Sequence, residues 1–216
     1  RDRSGPWNEL IRSPGSQRLH RLAAGDLNAD GHCDLIATAQ NSHHLVLWLC
    51  LPPAEGGLTR CADLGVGTGP LDIALADIDG DGDQDLFIAN YGPNAFYRND
   101  GGGTFADVSR KTGIDDPRWG SSAGFLDYDL DGDLDLFVGG TGDPVLLLDN
   151  QGDGTFRDRG EALGLPRDGS NTHMAFADYD LDGDLDGFLV TNRSPGASSR
   201  TNNLNIQAKF VNGEPV

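Results

Sequence analysis

Asp127-Tyr-Asp-Leu-Asp-Gly-Asp-Leu-Asp135 decides the fold. Aspartates occupy alternate residues, and Gly132 takes the sixth place. The phrase returns unchanged as Asp178-Tyr-Asp-Leu-Asp-Gly-Asp-Leu-Asp186. It returns in variant form as Asp77-Ile-Asp-Gly-Asp-Gly-Asp-Gln-Asp85 and as Asp26-Leu-Asn-Ala-Asp-Gly-His-Cys-Asp34. The four copies begin 50 or 51 residues apart. Self-similarity at such a period marks a repeat architecture, in which each unit buries its apolar face against the next.

The spacing also carries chemistry. Calcium is a hard cation that takes about six to eight oxygens in a flexible shell. Side-chain oxygens are available at loop positions 1, 3 and 5: Asp26, Asn28 and Asp30; Asp77, Asp79 and Asp81; Asp127, Asp129 and Asp131; Asp178, Asp180 and Asp182. The backbone carbonyl at position 7 (His32, Asp83, Asp133, Asp184) adds another, and the carboxylate at position 9 (Asp34, Asp85, Asp135, Asp186) can chelate with both oxygens. Gly31, Gly82, Gly132 and Gly183 predict a sharp turn with positive φ. An EF-hand needs a Glu at position 12 and flanking helices, but position 12 is Ala37, Ile88, Val138 or Leu189. The residues after each loop are short, apolar and β-prone, which predicts strands. Acidic turns that hold nothing are the plain alternative. Three copies, however, place five like charges within nine residues, and these repel without a counter-ion. The reading is therefore about four calcium ions, with the first loop weakest because Asn28 and His32 lower its charge.

The 216 residues suffice for one substantial domain. Of the 34 acidic residues, 18 lie in the four loops, and the other 16 balance the 16 basic residues. The net charge of −18 therefore sits in the loops and implies no basic partner. No basic cluster points to nucleic acid. The longest apolar run, 45–51, is too short to span a bilayer. Cys50 and Cys61 flank an expected hairpin and are candidates for a disulfide, whereas Cys33 is expected to be a small buried thiol. A disulfide and calcium sites both suit an oxidising exterior: extracellular, secreted or periplasmic.

A second repeated feature sets the strand phase. Asn99-Asp-Gly-Gly-Gly-Thr-Phe105 and Asn150-Gln-Gly-Asp-Gly-Thr-Phe156 read as hairpins that lead into an aromatic anchor. Trp7, Leu58 and Phe210 are the corresponding anchors elsewhere. Each unit then reads as four short strands. One precedes the loop (21–25, 71–76, 122–126, 173–177) and one follows it. A third comes next (45–49, 95–98, 145–148, 204–208), and a fourth carries the anchor. Four strands per repeat predict an all-β fold, a β-propeller of four-stranded blades. Counted from anchor to anchor, the repeats run 7–57, 58–104, 105–155 and 156–209, within a single propeller region over 1–216.

With these loops and hairpins, the chain resembles the FG-GAP or VCBS repeats of integrin α-like propellers. Gly124-Phe-Leu-Asp-Tyr-Asp-Leu-Asp-Gly-Asp-Leu-Asp and Met174-Ala-Phe-Ala-Asp-Tyr-Asp are most similar to repeats of the ASPIC/UnbV, cartilage-acidic-protein-like family. That resemblance implies a propeller with calcium in the first hairpin of each blade. It also implies binding or adhesion rather than catalysis, and a parent of about seven blades of which this chain is a slice. A slice predicts that the first and fourth blades do not meet.

Other candidates are weaker. Arg21, Asp72, Ser122 and His173 stand five residues before each loop and are expected to face the central channel. They serve either a ligand or channel water. His43 and His44 are expected on the surface. Trp48, Tyr91 and Trp119 either stack on sugars or pack between blades. The loops 114–120 and 165–172 are the expected contact surface for an unidentified protein or glycan partner. The rival class is a propeller lyase or hydrolase with a channel site, but no nucleophile motif supports it. A scaffold segment without a ligand of its own is a third reading.

Overall fold

The structure is a computed structural model. It describes residues 19–39, 44–50, 58–140, 142–165, 170–179, 181, 183, 185–192, 208–211 and 214–215. The side chains of 19, 39, 44–50, 58–63, 170–172, 191–192, 208–211 and 214–215 are outside that description.

Four antiparallel sheets of four strands follow one another along the chain. The first contains β1 (Leu19–Gly25), β2 (Asp34–Ala39), β3 (His44–Cys50) and β4 (Leu58–Gly65). The second contains β5 (Pro70–Ala76), β6 (Asp85–Asn90), β7 (Ala95–Asn99) and β8 (Phe105–Asp107). A single helical turn, α1 (Ser109–Thr112), leads to the third sheet: β9 (Gly120–Leu126), β10 (Asp135–Gly140), β11 (Leu146–Asn150) and β12 (Phe156–Asp158). The fourth contains β13 (Ser170–Ala177), β14 (Asp186–Asn192), β15 (Ala208–Val211) and β16 (Glu214–Pro215). Within every sheet the strands lie in sequence order. This is the blade of a β-propeller, and the fold expected from the sequence holds.

Two details differ from expectation. Phe210 lies in the third strand of its sheet, not the fourth. Its segment lacks the Asn-x-Gly turn that fixes the hairpins of the second and third blades, and residues 201–207, including most of the expected strand, are outside the described residues. Trp7 is also outside them. Cys33 is exposed rather than buried.

First strands pack on first strands: β1 on β5, β5 on β9 and β9 on β13. The side facing the next blade is here called trailing, and the side facing the previous blade leading. Alternation along each strand sends neighbouring residues to opposite sides. Leu86 and Ile88 lead, joining Leu27 and Ile36 of the first blade. Phe87 trails, joining Leu136 and Val138 of the third. Tyr128 and Phe137 trail in turn against Met174 and Leu189 of the fourth. A second strand is thus apolar on both faces, and every residue of β6 and β10 is buried. Gly25 shows how closely blades approach: a Cβ there would collide with the Gln84 side chain of the second blade. Among the described residues, no strand of the first blade packs substantially on the fourth.

Candidate metal centre

Each Asp loop joins the first and second strands of a blade, and its backbone wraps around its own carboxylates. The N–H of the glycine at position 6 donates to Oδ2 of the first aspartate. The distances are 2.8 Å for Gly31 to Asp26, 3.0 Å for Gly82 to Asp77, and 3.1 Å for both Gly132 to Asp127 and Gly183 to Asp178. These glycines have φ between +81° and +100°, as the sequence predicted. The N–H at position 7 donates to Oδ1 of position 5 in the first three loops, at 2.8–2.9 Å. Position 4 is also left-handed, with φ of 58° at Ala29, 73° at Gly80, 61° at Leu130 and 60° at Leu181. The glycine in one copy of four was the only sequence signal of that.

The ninth residue does more than chelate. Asp34, Asp85, Asp135 and Asp186 open the second strands and are all buried. Oδ2 of each accepts the N–H of loop position 2 at 2.9–3.1 Å. In the middle blades Oδ1 accepts a further N–H, from Asn99 at 2.9 Å and Asn150 at 2.8 Å. Burial pushes the Asp85 carboxyl up to about 6 and the Asp135 carboxyl up to about 7, although these backbone bonds pull the other way. Neighbouring loop aspartates add to the rise in both.

The Asn-x-Gly hairpin, read from sequence only as a turn, is a latch. Asn99 is fully buried. Its Nδ2 donates to the Gln84 carbonyl at 3.2 Å and, across the joint, to the Leu27 carbonyl of the preceding loop at 3.0 Å. Its Oδ1 accepts the Gly101 N–H at 3.1 Å. Asn150 repeats the arrangement within its blade, donating to Leu134 O and accepting from Gly152 N–H, both at 3.1 Å. By strand register Cys50 and Phe210 hold the equivalent place in the outer blades, so the latch belongs to the middle two.

The structure gathers two of the expected ligand sets. Asp77, Asp79 and Asp81 each bring an oxygen within 4.8 Å of the others, as do Asp127, Asp129 and Asp135. The Asp129 carboxyl is raised by burial and by Asp131, and its buried Oδ1 has no hydrogen-bond partner. A buried carboxylate oxygen without a donor, among convergent carboxylates, fits a divalent cation. Asp83 and Asp133 keep position 7, where the backbone carbonyl is the expected ligand. The first loop gathers no such set of three acids: Asn28 turns its amide onto Asp30 at 3.1 Å. In the fourth loop Asp178 and Asp186 are placed as in the third, whereas Asp180, Asp182 and Asp184 lie outside the described residues.

The other candidates resolve as follows. Arg21 Nε lies 3.4 Å from Asp72 Oδ1, and Asp72 Oδ2 accepts the Ala123 N–H at 3.1 Å. The expected channel ring therefore ties first strands of three blades together. Ser122 is buried and His173 is exposed. Tyr91 and Trp119 stack with centroids 3.8 Å apart while remaining 51% and 38% exposed. They lie at the blade ends opposite the Asp loops. Beside them Arg118 grips Asp116 at 2.7 Å and Asp158 at 2.9 Å. Residues 166–169, His43, and the side chains of His44 and Trp48 lie outside the described residues. So do the side chains of Cys50 and Cys61. The backbone register sets Cys50 opposite Leu58 and leaves Cys61 at a bulge beside Trp48, and the expected disulfide between them lies outside the described residues. No helix among the described residues is long and apolar enough to cross a membrane.

Residues 26–88, 77–138 and 127–189 each match the family described as FG-GAP-like repeat, every match running from one Asp loop through the next. Cartilage acidic protein 1 of Mus musculus is 30% identical over 204 residues, covering 92% of this chain and 30% of that protein. The Xenopus tropicalis protein of that name is 30% identical over 188 residues, covering 83% and 28%. The Homo sapiens protein is 28% identical over 205 residues, covering 92% and 29%. The chain thus spans about 30% of the length of these relatives. Among solved structures, a chain in the crystal structure of BBS1N in complex with ARL6DN aligns with a TM-score of 0.52 at 14% identity. That alignment covers 79% of this chain and 50% of that one, and it bears on the fold alone.

Proposed function

The chain belongs to the FG-GAP-like repeat family, and from that premise we propose that it is a calcium-stabilised propeller that works as an extracellular binding module. The observation that carries the metal half is the convergence of Asp127, Asp129 and Asp135, with Asp129 Oδ1 buried and unpartnered. Bound there, calcium supplies charge neutralisation and cross-linking within a hairpin. The chain's own residues do the rest. Asp135 fixes the loop entry through the Tyr128 N–H, and Asn150 fixes its exit. The second blade repeats the device with Asp85 and Asn99, and together the two set the angle at which the loops between blades are presented.

The binding half rests on the Tyr91–Trp119 pair. Two large rings stacked on each other at a blade joint, still substantially exposed and flanked by charged groups, suit a protein or glycan surface. The extracellular setting accords with calcium sites of modest affinity, which fill where calcium is abundant, and with similarity to proteins named for cartilage. Calorimetric titration of the chelated protein with calcium tests the metal half. More than one site is expected, with one fewer in Asp129→Ala. Absence of calcium-dependent heat overturns the reading. Glycan and matrix-protein arrays probed with the native chain and with Trp119→Ala test the binding half: loss of captured ligands in the variant is expected, and unchanged capture overturns it.

A further inference from the structure

Loops 77–85 and 127–135 carry aspartate at the same five positions, and their intervening residues are uncharged. Any difference in charge between the two sites therefore comes from outside the loops. The third strand of each blade supplies one. Asn99 and Asn150 donate their backbone N–H to Oδ1 of Asp85 and Asp135, at 2.9 Å and 2.8 Å. The residue before each latch is thereby held beside its loop. It is Arg98 in the second blade and Asp149 in the third.

Both side chains lie on the trailing side of their blade. Alternation puts Arg98 with Phe96, which packs in the second joint. It puts Asp149 with Leu147, which packs in the third joint together with Tyr128. Arg98 and Lys111 line one cleft with Asp77, Asp79 and Asp85. Asp100 does most to hold the Arg98 guanidinium protonated, and Asp79 and Asp85 add to that hold. In the third blade, Ala162 stands where the second has Lys111. Burial raises the Tyr128 phenol most, and Asp149 is next. Asp149 also adds to the rise that burial and neighbouring loop aspartates produce in Asp129 and Asp135.

Each of the two residues has an ion-pair partner, but the pairs are reversed. Arg98 Nη2 lies 2.6 Å from Asp100 Oδ1, and Asp149 Oδ2 lies 3.9 Å from Arg159 Nε. The basic member stands beside the second loop, and the acidic member beside the third. The third blade also lends Asp133 and Asp153 to the cleft of the second. Asp133 belongs to the third loop, and Asp153 is turned onto the Thr155 N–H and hydroxyl at 3.0 Å and 2.6 Å.

We infer that Asp149 and Arg98 set the order in which these two loops fill, the third holding calcium more tightly than the second. The inference rests on the calcium reading of the loops. An added carboxylate favours a nearby divalent ion, and a guanidinium opposes it. The Asp149 side chain is 15% exposed and that of Arg98 41%, so solvent and salt screen the arginine more. Asp149 has the larger effect of the two.

The backbone N–H groups of Gly82 and Gly132, each bonded to the first aspartate of its loop, report the two sites separately. Chelated protein labelled at glycine is titrated with calcium, and the two amide resonances are followed by NMR. Gly132 should respond at the lower calcium concentration. Asp149→Asn should raise the concentration that Gly132 needs by about tenfold and leave Gly82 unmoved. Asp149→Glu, which keeps the charge, should stay within about threefold of the parent. Arg98→Gln should lower the concentration that Gly82 needs by about threefold and leave Gly132 unmoved. Trivalent lanthanum separates charge from packing. An electrostatic effect grows with the charge of the ion, so the Asp149→Asn shift should become about thirtyfold. If neither glycine responds to calcium, the calcium reading falls and this inference with it. If both respond but neither substitution shifts its own loop, only this inference falls. A second loop that fills first overturns it, as do shifts of equal size in calcium and lanthanum.

Discussion

The loops 127–135 and 178–186 are identical residue for residue, yet they live in different surroundings. Tyr128 is 3% exposed and Tyr179 77% exposed. What the two loops share is local. In both, the N–H of position 2 reaches Oδ2 of position 9, and the N–H of the glycine reaches Oδ2 of position 1. What separates them is the fourth blade, which covers the third with Met174 and Leu189. Local hydrogen bonding is written in the nine residues; burial is conferred by the neighbour. A ligand cluster is therefore a property of the loop, whereas the stability resting on it is a property of the joint.

Removing calcium should have the largest effect and should reach both loops, because their donor sets are the same. A ligand held only by the folded state stabilises by about 4 kcal/mol per site at a thousandfold excess over its dissociation constant. Thermal unfolding in millimolar calcium and in excess chelator should therefore give widely separated midpoints. The pH dependence should also change sign. In chelator, burial holds the Asp135 carboxyl up near 7. Its folded-state value then exceeds its unfolded one, so its stabilising contribution is full below about pH 4 and is lost as pH rises towards 7. With calcium bound the carboxylate must be ionised, and stability should rise over that interval. Denaturant midpoints measured across it, with Asp135→Asn as the control, decide the matter. Parallel pH profiles with and without calcium would break the assignment.

Truncating the two tyrosines should come next. Tyr128→Ala opens a cavity in the third joint and should cost about 3–5 kcal/mol, the usual range for removing a buried aromatic. Tyr179→Ala should stay within about 0.5 kcal/mol of the parent. Equal losses in urea denaturation would mean that both tyrosines are buried in solution.

The latch gives a smaller contrast, between the middle blades and the outer ones. Asn99→Ala removes the donors to the buried Leu27 carbonyl and the half-buried Gln84 carbonyl. A loss of about 1–3 kcal/mol is expected. Asn150→Ala loses the donor to Leu134 and the acceptor of the Gly152 N–H, both within its own blade, and should cost less. Hydrogen exchange should show the Asn99 change loosening the first loop as well as the second, because its amide spans that joint.

Much of this was legible in the sequence, for a physical reason. Alternate aspartates with a glycine at the sixth place have few backbone solutions, and strands apolar on both faces have few places to go. Loop positions and blade order followed from these, and so did the strand phase of the first three blades. Residues whose role is set across a joint were not legible. Asn99 read as a turn former because its second partner, Leu27, lies 72 residues away. Asp72 read as a channel residue because Arg21 and Ala123 approach it from two other blades. Cys33 read as buried because the equivalent Gln84 has a preceding blade to pack on, and Cys33 has none among the described residues.

The smallest effect isolates the loop from the joint altogether. Position 4 is left-handed in all four loops, but only Gly80 adopts that conformation without penalty. In Leu130 and Leu181 the Cβ crowds the following carbonyl, at a cost of roughly 1–2 kcal/mol. Replacing either by glycine relieves that strain but adds chain freedom in the unfolded state, worth about 0.4–1 kcal/mol in the opposite direction. Both leucines are exposed, at 51% and 86%, so little burial is lost with the side chain. Leu130→Gly and Leu181→Gly should each stabilise the chelated protein by no more than about 1 kcal/mol, and by similar amounts, because the strain is local. Gly80→Leu should destabilise by a comparable margin. If Leu130→Gly instead costs stability while Leu181→Gly does not, the joint reaches as far as the loop tip. The division between local geometry and neighbour-conferred burial would then have to be drawn further out along the hairpin.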